Sequence, residues 1–312
     1  MRPVSDTVGR DITQAANGVN AILRCARDDS DAAALAYIAL YACGFSGRSD
    51  DLDRYRALPT LLRDETFVTR LVAEVADTVE ITNWTVVSHD GDRVLLSYDG
   101  IRAFVECRAL LTPARPGETA VFLRSVLRTG VMPGFVVRSG ASPVIDRSNV
   151  SRLYLNICPA GAVWALGALG RRLDQAGIPY ELKVLSHPKA YLRRDACVLY
   201  VGSDTEAEVS RLVTAALDEV GGTPVRPARP RLTAPVIPGV SVAHEPTDIA
   251  PTGLSHGQWV AGIFQTAARR CTEPRAIATE VRSLIVQAGR DPSQPHRRGD
   301  GPGPEPGAGP TQ

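Results

Sequence analysis

The apolar residues of this chain change period along its length, and the order of those changes limits the fold more than any single motif does. From Asp11 to Cys43 they recur at helical spacing, as Ile12, Ala15, Ala16, Val19, Ile22 and Leu23, then Leu35, Ile38 and Ala39. The polar cluster Asp28 to Asp31 interrupts them, and its Asp or Ser side chains suit the cap of a second helix. Pro59 to Asp77 reads as a further helix. The period then falls to two. Ile81 to Ser88, Arg93 to Tyr98 and Ile101 to Cys107 are strand-like, separated by the hairpin turns His89-Asp90-Gly91-Asp92 and Asp99-Gly100, which predicts a three-stranded antiparallel meander. Thr119 to Arg128 and Phe135 to Arg138 are extended, with Pro133-Gly134 as a turn between them.

The central region is the most regular. Ser151 to Cys158 reads as a strand, Ala160 to Ala176 as a helix closed by Gly177, Tyr180 to Leu185 and Ala196 to Gly202 as strands, and Thr205 to Val220 as a helix. The order is β-α-β-β-α. A Pro/Arg-rich connection, Thr223 to Pro235, has little capacity for regular structure, and helical patterns return at His256 to Arg270 and Glu273 to Gln287. The expected class is α+β: a helical N-terminal part, an antiparallel meander, a central β-α-β-β-α core and C-terminal helices. The expected organisation is a helical region over 1–78 that can form one unit with an α+β domain over 79–290. A Pro/Gly-rich tail over 291–312, almost without apolar residues, is expected to be disordered.

Composition excludes several classes of function. With 35 basic against 34 acidic side chains there is no general polyanion footprint, so any anion site must be local. The six cysteines are scattered singly, with no CxxC pair and no metal-ligand spacing, and they read as reduced core residues. Gly167, Gly170, Gly221 and Gly222 match neither a phosphate-binding loop nor a dinucleotide fingerprint. No nucleophile-elbow context accompanies His187, His244 or His256. Neither cofactor nor metal is expected. The N-terminus lacks a basic segment followed by an apolar core, and the longest apolar run, Ala32 to Phe45, is shorter than the roughly 20 residues of a bilayer span. The expected compartment is the cytoplasm, which makes the sequons at Asn83 and Asn149 incidental.

Of the 35 basic side chains only two are lysines, Lys183 and Lys189, both within Tyr180 to Asp195. Arginine stays protonated, whereas lysine can give up its proton and act as a general base or an amine nucleophile. A chain that meets its other needs for positive charge with arginine therefore marks these two positions for chemistry. On the strand Ser151 to Cys158, period two places Arg152, Tyr154 and Asn156 on one face and Leu153, Leu155 and Ile157 on the other. On the next strand Lys183 shares a face with Glu181. If the two strands are neighbours, Lys183 lies near Arg152 and Tyr154. Arg193 and Arg194 precede an apolar strand, where an arginine pair suits a doubly charged oxyanion. A lysine among arginines combines a base with a phosphate clamp, which is what β-elimination of phosphate requires.

The run RLYLNI, followed by GAVWALGALGRRLDQAGIPYELKVLSHPKAYLRRDACVLYVGSD, resembles the HopA-type effector family and its relatives, the lyase subunits of class V lanthipeptide and thioamitide biosynthesis. MPGFVVRSG, APVIPGVSVAHEP and SHGQWVAGIF extend the likeness, so that it covers Phe122 to Phe264. A more distant resemblance is to phosphothreonine lyases of the OspF/SpvC type. That resemblance implies a lyase-like core in which the catalytic base falls on Lys183. The strand histidine of those lyases falls on Tyr154, a candidate general acid or substrate-orienting group. The lysine after their last apolar strand has no counterpart, since Gly202 follows Val201, so Arg193 or Arg194 must supply its charge. Arg152 and Lys189 complete the expected phosphate contacts, and Asn156 the substrate contacts.

The family resemblance implies elimination of phosphate from a precursor peptide phosphorylated on Ser or Thr by a separate kinase-like subunit, leaving dehydroalanine or dehydrobutyrine. The chain carries no kinase signature of its own. Its expected partners are the phosphorylated precursor peptide and that kinase, with neither nucleic acid nor membrane. The competing reading is a noncatalytic peptide-binding or kinase-activating subunit on a decayed lyase fold, motivated by the missing histidine and lysine. A secreted effector acting on host signalling proteins is less expected, because the N-terminus does not resemble a long Ser-rich secretion segment.

Overall fold

The computed structural model describes residues 4–47, 52–140, 149–222, 224–246 and 254–298. Helix α1 (Val4–Cys25) is followed by α2 (Asp29–Leu35), whose N-terminus is capped by Asp28: its side chain accepts the Asp31 amide at 2.8 Å. Without a break α2 continues as a π-helical stretch, Ala36–Ala42. The short α3 (Leu52–Ala57) and α4 (Glu65–Val75) complete the N-terminal helices. The single helix expected from Pro59 is thus shorter. Pro59 lies in a 3-10 turn, Leu58–Thr60, and the helix restarts only where Asp64 accepts the Phe67 amide.

The meander forms as the alternation requires: β1 (Thr78–Asp90), β2 (Arg93–Tyr98) and β3 (Ile101–Glu106). Asp99 and Gly100 both have positive φ, at 47° and 77°, which suits a two-residue hairpin connection. A fourth strand, β4 (Thr119–Ser125), joins the free side of β1, giving the order β3-β2-β1-β4 around a small core of Val86, Val94, Leu96 and Phe122.

The chain then passes into a second sheet through β5 (Leu127–Arg128), β6 (Phe135–Ser139) and β7 (Val150–Leu155). A helix follows in three parts, α5 (Gly161–Trp164), a π-helical turn at Ala165–Leu169 and α6 (Gly170–Gln175). Next come β8 (Tyr180–Leu185), a 3-10 turn at Pro188–Leu192, β9 (Cys197–Gly202) and α7 (Glu206–Glu219). A hairpin of β10 (Ala234–Ile237) and β11 (Val240–His244), then α8 (His256–Arg270) and α9 (Pro274–Gln287), complete the chain of elements. The second sheet has seven strands in the order β10-β11-β7-β9-β8-β6-β5, every neighbouring pair antiparallel.

The expected α+β class and the β-α-β-β-α order are both present, with one consequence for the site. β9 is inserted between β7 and β8, a split β-α-β arrangement, so the condition for Lys183 to lie beside Arg152 and Tyr154, that their strands be neighbours, is not met. The hairpin β10-β11 also begins inside the connection expected to be irregular, its turn carrying Gly239 at φ 83°.

Strand alternation divides the sheet's side chains between two cores. Leu153, Leu155, Leu182, Val184, Leu199 and Val201 face α4 to α7, while Tyr154, Val198, Tyr200 and Ala243 face α1, the π-helical stretch, α8 and α9. The Pro/Arg-rich connection ties these layers together. Arg231 is 2% exposed and donates to the carbonyls of Leu40, Gly44 and Phe45, and Arg229 pairs with Asp11 at 2.9 Å. Residues 291–298 of the segment expected to be a disordered tail are ordered. His296 is buried, and its carbonyl accepts the His244 amide at 2.9 Å, so residues 291–298 pack on the end of β11. Residues 299–312 of that segment lie outside the described residues. No helix among the described residues is long and apolar enough to cross a membrane.

Candidate functional site

A cleft of about 610 Å³ opens over the face of the sheet that carries Lys183, Tyr200 and Arg152. Register explains the grouping. Glu181, Tyr200 and Arg152 form one rung across β8, β9 and β7, and Lys183, Val198 and Tyr154 form the next rung on the same face. Strands lie about 4.8 Å apart, so Lys183 and Tyr154 are roughly 10 Å apart at the backbone, with Val198 between them. The cleft is walled by Phe135 of β6, Tyr37 of the π-helical stretch and Arg193 before β9. Ser255 and Gln258 at the start of α8 close it, with Glu245 beside them. The Ser255 side chain accepts the Gln258 amide and the Gln258 side chain accepts the Ser255 amide, a capping box that fixes where α8 begins.

Lys183 is half-buried. Its Nζ sits 4.5 Å from the centre of the Phe135 ring and 5.1 Å from that of Tyr200, and 3.6 Å from the Met132 sulfur. Among the described residues it makes no salt bridge, unlike the arginines around it. Arg152 donates to Glu245 at 2.7 Å through Nε and also lies over the Tyr200 ring, 4.8 Å from its centre. Arg193 makes a two-pronged pair with Asp195, both bonds at 2.8 Å, and the Tyr37 hydroxyl donates to Asp195 at 2.9 Å. Arg128 reaches Glu181 at 3.3 Å. Each of these arginines is thus held by a carboxylate, whereas the lysine amine rests against two aromatic rings and a thioether.

Burial and charge set the protonation of the groups beneath the cleft. Burial works against the Asp195 carboxylate, but the Arg193 guanidinium beside it and the bonds from Arg193 and Tyr37 outweigh that and hold its carboxyl below the usual range. Burial, reinforced by the Asp195 charge, pushes the Tyr37 phenol well above its ordinary value. Tyr154 is pushed up to about 12 by burial, against the pull of Arg152.

The residues singled out in the sequence separate accordingly. Lys183, Arg152 and Arg193 converge on the cleft. Tyr154 lies below it in the core, edge-on to Tyr41, and is not among the lining groups. Arg194 points the other way, because successive extended residues alternate, and donates to the Arg229 carbonyl at 3.2 Å. Lys189 is exposed in the 3-10 turn, on a different hollow with Leu192 and Arg226. Asn156 is buried just past β7, donating to the Ala228 carbonyl and accepting from Arg226 at 2.8 Å, so it braces the Pro/Arg-rich connection.

Sequence reasoning missed Tyr37, Phe135, Tyr200, Asp195 and Glu245. Asp195 alone carried a local signal, an acidic residue directly after two arginines and before an apolar strand.

The family model for the HopA1 effector protein family matches residues 127–297. The chain belongs to that family. The match spans the whole seven-stranded sheet and the helices packed on it from α5 onward, including every residue named at the cleft except Tyr37. Among solved structures, the effector protein from Pseudomonas syringae pv. syringae strain 61 aligns over 96% of this chain and 100% of its own, at 16% identity and a TM-score of 0.55. The effector protein from Pseudomonas syringae pv. tomato strain DC3000 aligns over 53% of this chain and 63% of its own, under two thirds of its length, at 20% identity and a TM-score of 0.40. The first of these shows a shared fold. Comparison with curated proteins finds no match. In this HopA1-family chain, α1 to α4 and the meander precede the matched region and supply Tyr37 to the cleft.

Proposed function

We infer that this chain is a phosphoserine and phosphothreonine lyase acting on a precursor peptide that a separate kinase-like subunit has phosphorylated, in the making of a lanthipeptide or thioamitide. The observation that carries the reading is the position of Lys183, without a salt bridge among the described residues, in a cleft that Arg152 and Arg193 also line. In this reading the neutral Lys183 amine removes the α-proton, and the electron pair of the Cα–H bond becomes the Cα=Cβ double bond. The Cβ–O bond breaks, and the phosphoryl group, entering as its monoanion, departs with that bond's electrons as the hydrogenphosphate dianion. Arg152 and Arg193 offer the guanidinium N–H groups not used by Glu245 and Asp195 to the departing phosphate.

Tyr154 does not line the cleft, so no proton from it is needed in this account, and charge neutralisation by the two arginines carries the departure. The same fact favours the second reading, a noncatalytic peptide-binding or kinase-activating subunit, since the strand position that bears histidine in the distant lyases is here a core tyrosine. One experiment separates the two. The purified protein, without kinase, is incubated with a phosphothreonine peptide and loss of phosphoric acid is followed by mass spectrometry. The lyase reading expects loss with the wild type and none with Lys183→Arg, which keeps the charge but cannot act as a base. Full activity in that variant, or none in the wild type, would overturn it.

A further inference from the structure

The Lys183 cleft does not end at Glu181. The same side chain also lines a second hollow of about 800 Å³, bounded by Thr78, Val79, Glu80 and Ile81 of β1 and by Ser139 near the end of β6. The hollow meets Thr78 to Ile81 in a row, together with Arg124, which lies opposite Val79 in the β1–β4 pair. The other edge of β1 is open along this stretch among the described residues. β1 pairs with β4 across Thr78–Ile81, but its pairing with β2 begins only at Thr85. Between the two lies Asn83 at φ 66°, where the register with β4 shifts. Most charges around the hollow pair with one another, Arg138 with Asp77 and Asp174, Arg171 with Asp77, and Arg128 with Glu181, and the other two, Glu80 and Arg124, are of opposite sign. What the hollow offers a ligand is therefore length and open backbone rather than a strong charge.

We propose that this hollow holds the flank of the phosphopeptide, bound as an extended strand beside β1, while the phosphorylated residue lies at Lys183. The proposal rests on the lyase reading, because that reading puts a peptide in the first cleft. Its further ground is continuity: the two hollows share Glu181, so an extended chain leaving the cleft over β8 enters the second hollow directly. Lys183 and Glu181 are two positions apart on one strand, roughly 7 Å, or about two residues of extended peptide. The flank enters the hollow near the third residue from the phosphorylated one, and roughly four more residues run beside Thr78–Ile81.

The test uses three fluorescent phosphothreonine peptides: one with two residues on each side of the phosphothreonine, and two lengthened by five residues toward the N- or the C-terminus. Affinity is measured by anisotropy on the Lys183→Arg protein, and kcat/KM on the wild type. One lengthened peptide is expected to bind about tenfold more tightly than the short one. Filling the hollow with Thr78→Trp or, independently, Glu80→Trp, both at exposed positions, should bring the ratio of long to short kcat/KM down to about one. Equal binding of all three peptides, or a ratio that neither tryptophan moves, overturns the proposal. Length-dependent binding without turnover by the wild type removes the lyase reading and leaves the docking hollow. Turnover without length dependence does the reverse.

Discussion

Arg193 and Arg194 carry the same charge one residue apart, and extended backbone sends them to opposite sides of the chain. Arg193 reaches the cleft and Asp195, and Arg194 reaches the Arg229 carbonyl. On the cleft side Arg193, 8% exposed, is compensated by Asp195, whose carboxylate is almost fully buried. Asp195→Ala leaves that guanidinium buried without its counter-charge, and a loss of about 3–5 kcal/mol in urea unfolding at neutral pH is expected. The loss should depend on pH. The folded-state pKa of Asp195 lies below its ordinary 3.8, so its contribution is present above pH 3.8 and disappears as pH falls through the lower folded value. Wild type and variant should converge in stability there. Lys183 was legible from the sequence because its chemistry is written in residue type, a lysine in an arginine chain. The arginine that joins it was not, because residue type is the same at 193 and 194 and only the backbone direction differs.

The start of α8 is the element that closes the cleft, and one glycine lets it approach. A Cβ at Gly257 would stand 2.5 Å from Tyr41 Cε1 and 2.7 Å from Tyr37 Cε2, both on rings held in the π-helical stretch. Alanine is the better helix former by about 1 kcal/mol, but a forced shift of two packed rings costs about 1–3 kcal/mol. Gly257→Ala is therefore expected to lower the thermal midpoint and to reduce elimination together, since Tyr37 buttresses Arg193. A raised midpoint would show that the rings move freely. At this scale the helices and the meander follow from period, and their ends from caps such as Asp28, Asp64 and Ser255. The π-helical stretch does not. Ala36–Ala42 has the same apolar pattern as the α-helix before it, and the wider turn appears only where Tyr37 and Tyr41 pack against α8.

For the molecule as a whole, two histidines buried between the layers set the response to acid. Burial, aided by nearby arginines, drives the His256 imidazole well below its ordinary 6.5, and burial with Arg297 brings His296 down to about 4. Between pH 6.5 and 4 the unfolded chain binds protons that the folded chain refuses, so stability falls as pH falls through that window. Urea midpoints should drop from pH 7 to pH 4, and His296→Gln should flatten part of the drop. An unchanged midpoint across the window would contradict the burial of both rings. The packing of residues 291–298 that buries His296 was hidden in the sequence because that segment is polar and carries two prolines. It is held by backbone bonding to β11 and by Arg298, which reaches the Glu245 carbonyl, rather than by an apolar face of its own.

Periodicity and residue chemistry, both local, determined the α+β class, the β-α-β-β-α order and the choice of Lys183. They are properties of short windows, which the chain displays before it folds. Strand order, the side on which each arginine emerges and the depth of Tyr154 came only from tertiary structure. β9 inserts between β7 and β8, which puts Tyr200 under both Lys183 and Arg152 and moves Tyr154 two strands from the lysine. Helices packed on that same face then cover Tyr154 and leave Lys183 half-buried at the edge of the cleft. Those outcomes depend on contacts between residues far apart in the chain, and no window of the sequence contains both partners.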